Sequence, residues 1–140
     1  MMQVLRNFAA VIAGVVIGSL VNMAIVGAGP MLAPPPAGVD MTTADGLAAG
    51  LHLFRPEHFA VPFLAHALGT LAGAFAAWLV AGSHKATCAW AIGAVFLAGG
   101  VAAALMLPAP AWFIATDLVL AYLPMAWLAI AAGRRLQRRT

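Results

Sequence analysis

An asparagine, a histidine and an aspartate stand inside otherwise apolar stretches of this chain, and their chemistry asks for an explanation. Asn22 lies in the run from Phe8 to Gly29, His66 in that from Phe59 to Gly82, and Asp117 in that from Ala111 to Gly133. If each run is a helix rising about 1.5 Å per residue, Asn22 sits about 10 Å from the end of its run. His66 and Asp117 sit about 10 Å and 9 Å from the starts of theirs. The three share one level when successive runs alternate in direction. A carboxylate in the middle of hydrocarbon costs about 2.5–3.5 kcal/mol on insertion scales, so Asp117 should face a partner inside the bundle. His66 is the one basic side chain of the spans that can reach it, Asn22 can hydrogen-bond to either, and Thr70 follows His66 by one helical turn. Together His66 and Asp117 can share a proton or form an ion pair, which offsets the desolvation of both. Two readings stay open: a polar network that ties helices together, and a proton or ligand site reached from outside.

Other chemistry finds less footing. Ser19 is the single serine within the runs and has no companion signature, which argues against a nucleophilic triad. A haem or metal at His66 would need a second strong ligand at its level, and Asp117 is the sole candidate, so no metal site is expected and any cofactor stays unknown. Asp40, His52, Glu57 and His58, with Asp45, form an outer-surface polar group that could bind a cation. Their spacing matches no zinc pattern, and solvated loop polarity explains them more simply. Cys88 is the lone cysteine, so no internal disulfide can form, and a single helical thiol behaves mostly as a small apolar residue.

The elements that must position these groups follow from composition. Of the 140 residues, 64% are hydrophobic and 8% charged, against about 45–50% and about 25% in soluble domains. So few charges cannot cover a soluble domain, which excludes a soluble enzyme, a disordered tail and a disulfide scaffold. The expected fold is all-α: a polytopic, single-domain bundle of four transmembrane helices over about 8–29, 59–82, 86–107 and 111–133. An outer loop spans 30–58 and a tail 134–140. Arg6 ahead of the first run could suggest a secretory leader, but that run is long and reads as a retained helix. With four crossings, all the basic residues except Arg55 fall on one side, which places both termini in the cytoplasm of a bacterial inner membrane. The Arg-rich tail then meets anionic lipid heads rather than nucleic acid.

In the outer loop, Pro30 and Pro34 to Pro36 should end the first helix and extend the chain. Thr42 or Thr43 could cap a short amphipathic helix over Ala44 to Phe54, whose Leu47, Leu51 and Phe54 would lie on the membrane surface as a lid or serve merely as a connector. Gly14 with Gly18, and Gly69 with Gly73, each make a GxxxG spacing that lets helices approach closely. That spacing leaves open a homo-oligomer or a larger membrane complex.

The stretches His52 to Phe59 and Pro62 to Thr70, with Pro34 to Asp40, Ser83 to Lys85, and Leu107 through Trp112-Phe113 to Asp117 and Met125, resemble an uncharacterised family of short bacterial four-helix inner-membrane proteins. The resemblance implies the four-helix boundaries and no activity. On the residues themselves, the expectation is a protein, not obviously an enzyme, that handles a small ligand or ion through the outward-facing cluster Asn22, His66, Thr70 and Asp117. The alternative is an accessory or assembly subunit of a larger complex.

Overall fold

Uninterrupted apolar runs become helices because no other element satisfies its own backbone within each segment. A computed structural model describes residues 1–139, and every regular element among them is helical. Thr140, the last residue of the expected tail, lies outside the described residues. Helix α1 covers Met2–Leu32, α2 Ala44–Gly50, α3 Ala60–Val80, α4 Lys85–Met106, α5 Ala111–Leu120 and α6 Leu123–Gln137, with short 3-10 turns at Leu51–Leu53 and Pro56–Phe59. Four helical stretches are long and apolar enough to cross a membrane: Met2–Leu32, Pro56–Val80, Lys85–Met106 and Ala111–Gln137.

Three departures from the sequence reading have physical causes. Pro30 does not end α1 but lies inside it. Proline's fixed φ is compatible with a helix, and near the end of α1 it forfeits a single bond, the one to the carbonyl of Val26. The helix runs on for a last turn, and Ala33 N–H donates to the Gly29 carbonyl at 2.8 Å. The loop helix stops at Gly50 instead of reaching Phe54, whose backbone is extended. Its start is capped as the sequence suggests, with Thr43 Oγ1 accepting from Gly46 N–H at 3.1 Å. The fourth run is not one straight helix: it breaks at Ala121 and Tyr122, between α5 and α6, just ahead of Pro124, a residue at which the sequence already allows a kink or hinge. Pro124, second in α6, has no N–H to give the Leu120 carbonyl, so the break falls where a continuous helix would lose a bond in any case.

Helix α3 is central: it packs on α1, α4 and α6, and more of it is buried than of α1. The core is built from small residues: Ala10, Ala65, Ala74, Ala77, Ala89, Ala126 and Ala129 are fully buried. Helices α1 and α3 cross antiparallel through reciprocal glycine contacts, Gly14 against Gly73 and Gly18 against Gly69. All four glycines expected to form packing stripes are therefore engaged within the chain. At the end that carries the chain termini, Asn7 Oδ1 accepts from the N–H groups of Gly82 and Ser83 at 3.1 Å each. There Lys85 Nζ donates to the Trp78 carbonyl at 3.1 Å, a cation on the negative end of α3. Cys88 is buried in this half of the core, among alanines and Ile92.

Candidate functional site

At the opposite end, α1, α3, α4 and α5 diverge around a cavity of about 360 Å³, the size of a small-molecule pocket. Its walls are almost wholly apolar: Gly29 and Val26 from α1, Val61 from α3, Ala103 and Leu107 from α4, Phe113 and Ile114 from α5. The loop covers it with Met41, Leu47, Leu51 and Phe54, so the apolar face of the loop helix is turned onto the bundle. Two contacts hold this cover down. Phe59 is buried between Trp112 and Phe113, with ring centroids 5.5 and 4.8 Å away. His58 accepts from Arg55 N–H through Nδ1 at 3.0 Å, which leaves Nε2 to donate to the Pro34 carbonyl, 3.1 Å away and 24 residues earlier.

The polar groups reached from the cavity are those singled out by depth. His66 and Asp117 both line it, and His66 Nδ1 lies 2.9 and 3.0 Å from the two carboxylate oxygens of Asp117. A third residue completes the network: Tyr122 O–H donates to Asp117 Oδ2 at 2.7 Å, and its oxygen lies 3.0 Å from His66 Nδ1. The tyrosine ring stacks on the imidazole at 5.8 Å and is buried to 2% exposure. Gly100 of α4 makes room for it, since a Cβ there would overlap the Tyr122 hydroxyl. Because the Tyr122 proton is committed to the carboxylate, its oxygen and both Asp117 oxygens present acceptors to Nδ1, so Nδ1 must carry hydrogen. The other ring nitrogen, Nε2, has no partner among the described residues, and the His66 side chain keeps 26% of its surface exposed.

Thr70 is not part of this face. Its hydroxyl donates to the His66 carbonyl at 2.8 Å and is fully buried, which steadies the turn that carries the histidine. Asn22 does not join the network either. It makes no hydrogen bond among the described residues and packs on Gly69, where an added Cβ would come within 3.1 Å of its own. Equal depth placed it at the right level, but the α1 face that presents it is the one crossing α3. Ser19 is absent from the cavity lining.

The outer polar group is dispersed over separate tasks. Asp40 accepts from Thr42 N–H at 2.8 Å and from the Thr42 and Thr43 hydroxyls at 2.6 and 3.0 Å, and these donors, the Thr42 hydroxyl foremost, hold its carboxyl below the usual range. Glu57 pairs with Arg55 at 2.8 Å on the surface, His58 holds the loop, and His52 is exposed. Among the described residues no three His, Cys, Asp or Glu side chains come together as metal ligands.

Tyr122 is the residue that sequence reasoning missed. In a continuous helix a side chain five positions beyond Asp117 points about 140° away from it. The signal that could have found it is Pro124, whose demand for a break turns Tyr122 back toward Asp117.

Comparison with protein-family models, with curated proteins and with solved structures found no match. The family resemblance noted in the sequence is thus without independent support, and the site's own geometry must carry the functional reading.

Proposed function

We propose that this chain is an integral protein of a bacterial inner membrane that binds a small, largely apolar ligand in the cavity between the loop and the His66–Asp117–Tyr122 network. The observation that carries this reading is the contrast within the cavity: apolar walls, and at their base an imidazole oriented by a carboxylate and a phenol with one nitrogen unengaged. Membrane residence is supported by large apolar side chains exposed along the length of α1, among them Leu5, Phe8, Ile12, Val16, Leu20 and Met23, which water would penalise. The basic residues other than Arg55 favour termini in the cytoplasm and a cavity in the outer half. The accessory-subunit reading drew on the glycine stripes, and these lie between α1 and α3.

Two experiments bear on this. With methyl-labelled protein in nanodiscs, para-octylphenol should shift the methyl signals of Ala103, Ala104 and Ile114 saturably while leaving Ala77 and Ile130 at the other end unmoved. Uniform, unsaturable shifts would mean mere partitioning into lipid and would defeat the cavity reading. For orientation, single cysteines at Thr43 and Arg139, in a Cys88→Ala background, should react with an impermeant thiol reagent in intact cells at Thr43 alone. Labelling at Arg139 would reverse the topology.

A further inference from the structure

The unengaged nitrogen also restricts what the ligand's head can be. We infer that the cavity selects a neutral amphiphile whose head is a hydroxyl group, phenolic or aliphatic, that donates its hydrogen to His66 Nε2, and that it discriminates against the same molecule with that hydrogen replaced. The inference rests on the cavity reading above and deepens it.

The argument is a count of donors and acceptors. Asp117 Oδ1 faces Nδ1, and Oδ2 receives the Tyr122 hydroxyl at 2.7 Å, so the carboxylate is occupied and Nδ1 keeps its hydrogen. A neutral imidazole carries one hydrogen, so with Nδ1–H fixed the lone pair lies on Nε2. Asp117 and Tyr122 are positioning residues: they set the tautomer and need not touch the ligand. An acceptor-only head, such as an ether or a carbonyl, would place its oxygen lone pairs against that of Nε2 and gain nothing. A carboxylate or phosphate would meet the Asp117 charge behind the ring, and among the described residues no Lys or Arg lines the cavity to compensate. The remaining surface is aliphatic and aromatic, from Leu51, Phe54, Leu107, Phe113 and Ile114, which suits an apolar body. Sites built to receive a hydroxyl discriminate strongly against analogues lacking its hydrogen, because a buried polar atom is then left unpaired.

The test uses matched probes on the full chain in nanodiscs at mildly alkaline pH: para-octylphenol with its methyl ether, and decanol with its methyl ether. The expected result is that the hydroxyl member of at least one pair binds about tenfold or more tighter than its ether. Whichever pair shows the gap identifies an aromatic or an aliphatic head. Asp117→Asn should erase or invert that ratio, because its amide can donate to Nδ1 and move the ring hydrogen to Nε2. Imidazole nitrogen shifts of the histidine-labelled protein should show Nδ1 protonated in the parent and Nε2 protonated in Asp117→Asn, a readout that needs no ligand. His66→Phe should bring the ratio to about one, and thermal unfolding of each variant checks that the bundle persists. If hydroxyl and ether bind alike, the donor rule fails and the cavity reading stands. If no probe binds saturably, both fail. A parent protein with hydrogen on Nε2 overturns the inference whatever binds.

Discussion

Replacing His66 with alanine is expected to destabilise the bundle by about 3 kcal/mol, the cost of leaving a buried carboxylate short of a hydrogen-bond donor. Asp117 is 4% exposed, and without the imidazole at 2.9 Å its carboxylate keeps a single donor, the Tyr122 hydroxyl. The reverse substitution, Asp117→Ala, should cost less. Tyr122 O–H lies 3.0 Å from His66 Nδ1 and can turn its hydrogen to that nitrogen once the carboxylate is gone, with the ring shifting to its other tautomer. Asp117→Asn should cost least, since an amide can both accept from Tyr122 and donate to Nδ1. The double variant His66→Ala with Asp117→Ala should be more stable than the sum of the two losses predicts, because removing both partners leaves no orphaned charge. Unfolding in mixed micelles, followed by the helical signal as denaturing detergent increases, measures all four. A His66→Ala loss no larger than that of an exposed substitution such as Val119→Ala would mean the pair is solvated and the network is not a buried one.

The contrast between the two halves of this site shows what sequence alone could reach. Hydropathy integrates over twenty residues, so the four spans were legible and their ends differ from the expected ones by a few positions. Depth is a sum of rises along a helix axis, and it was enough to set His66 opposite Asp117. Rotation about the axis is not in that sum. Asn22 has the right depth and the wrong azimuth, four residues after Gly18 on the face that crosses α3. Tyr122 has the wrong azimuth in a regular helix and acquires the right one from a break at Ala121, which a count of residues per turn cannot foresee. The roof of the cavity was half legible. The Leu47, Leu51 and Phe54 spacing gave an apolar face, but the long-range bond from His58 to Pro34 that carries it over the bundle joins residues with no local relation.

The largest loss of stability from a single uncharged change is expected at the α1–α3 crossing. A Cβ on Gly73 would fall 2.5 Å from the Gly14 carbonyl oxygen and 3.2 Å from the Gly18 Cα, and one on Gly14 would fall 2.7 Å from the Gly73 carbonyl oxygen. Both neighbours are backbone and cannot step aside, so even alanine must push the helices apart. Gly73→Ala should cost about 1–3 kcal/mol, as overpacking does in well-packed cores. Gly73→Leu should exceed about 4 kcal/mol, because a branched side chain cannot fit without separating the helices along their shared length. Two other helical glycines supply the control. Beyond the neighbouring backbone of their own helices, no described atom lies within 4 Å of a Cβ built on Gly27 or Gly99, so alanine there should be neutral or stabilise by up to about 1 kcal/mol through helix propensity alone. The same change of residue type is thus predicted to act with opposite signs within one chain. The separation should also reach the cavity, since Gly29 and Val26 of α1 form one of its walls. Saturable para-octylphenol shifts at Ala103 should therefore weaken in Gly73→Ala under conditions where the bundle is still folded. If Gly73→Ala is instead as stable as Gly27→Ala, the two helices do not meet through bare backbone, and the glycine pairs become free to serve contacts between copies of the chain.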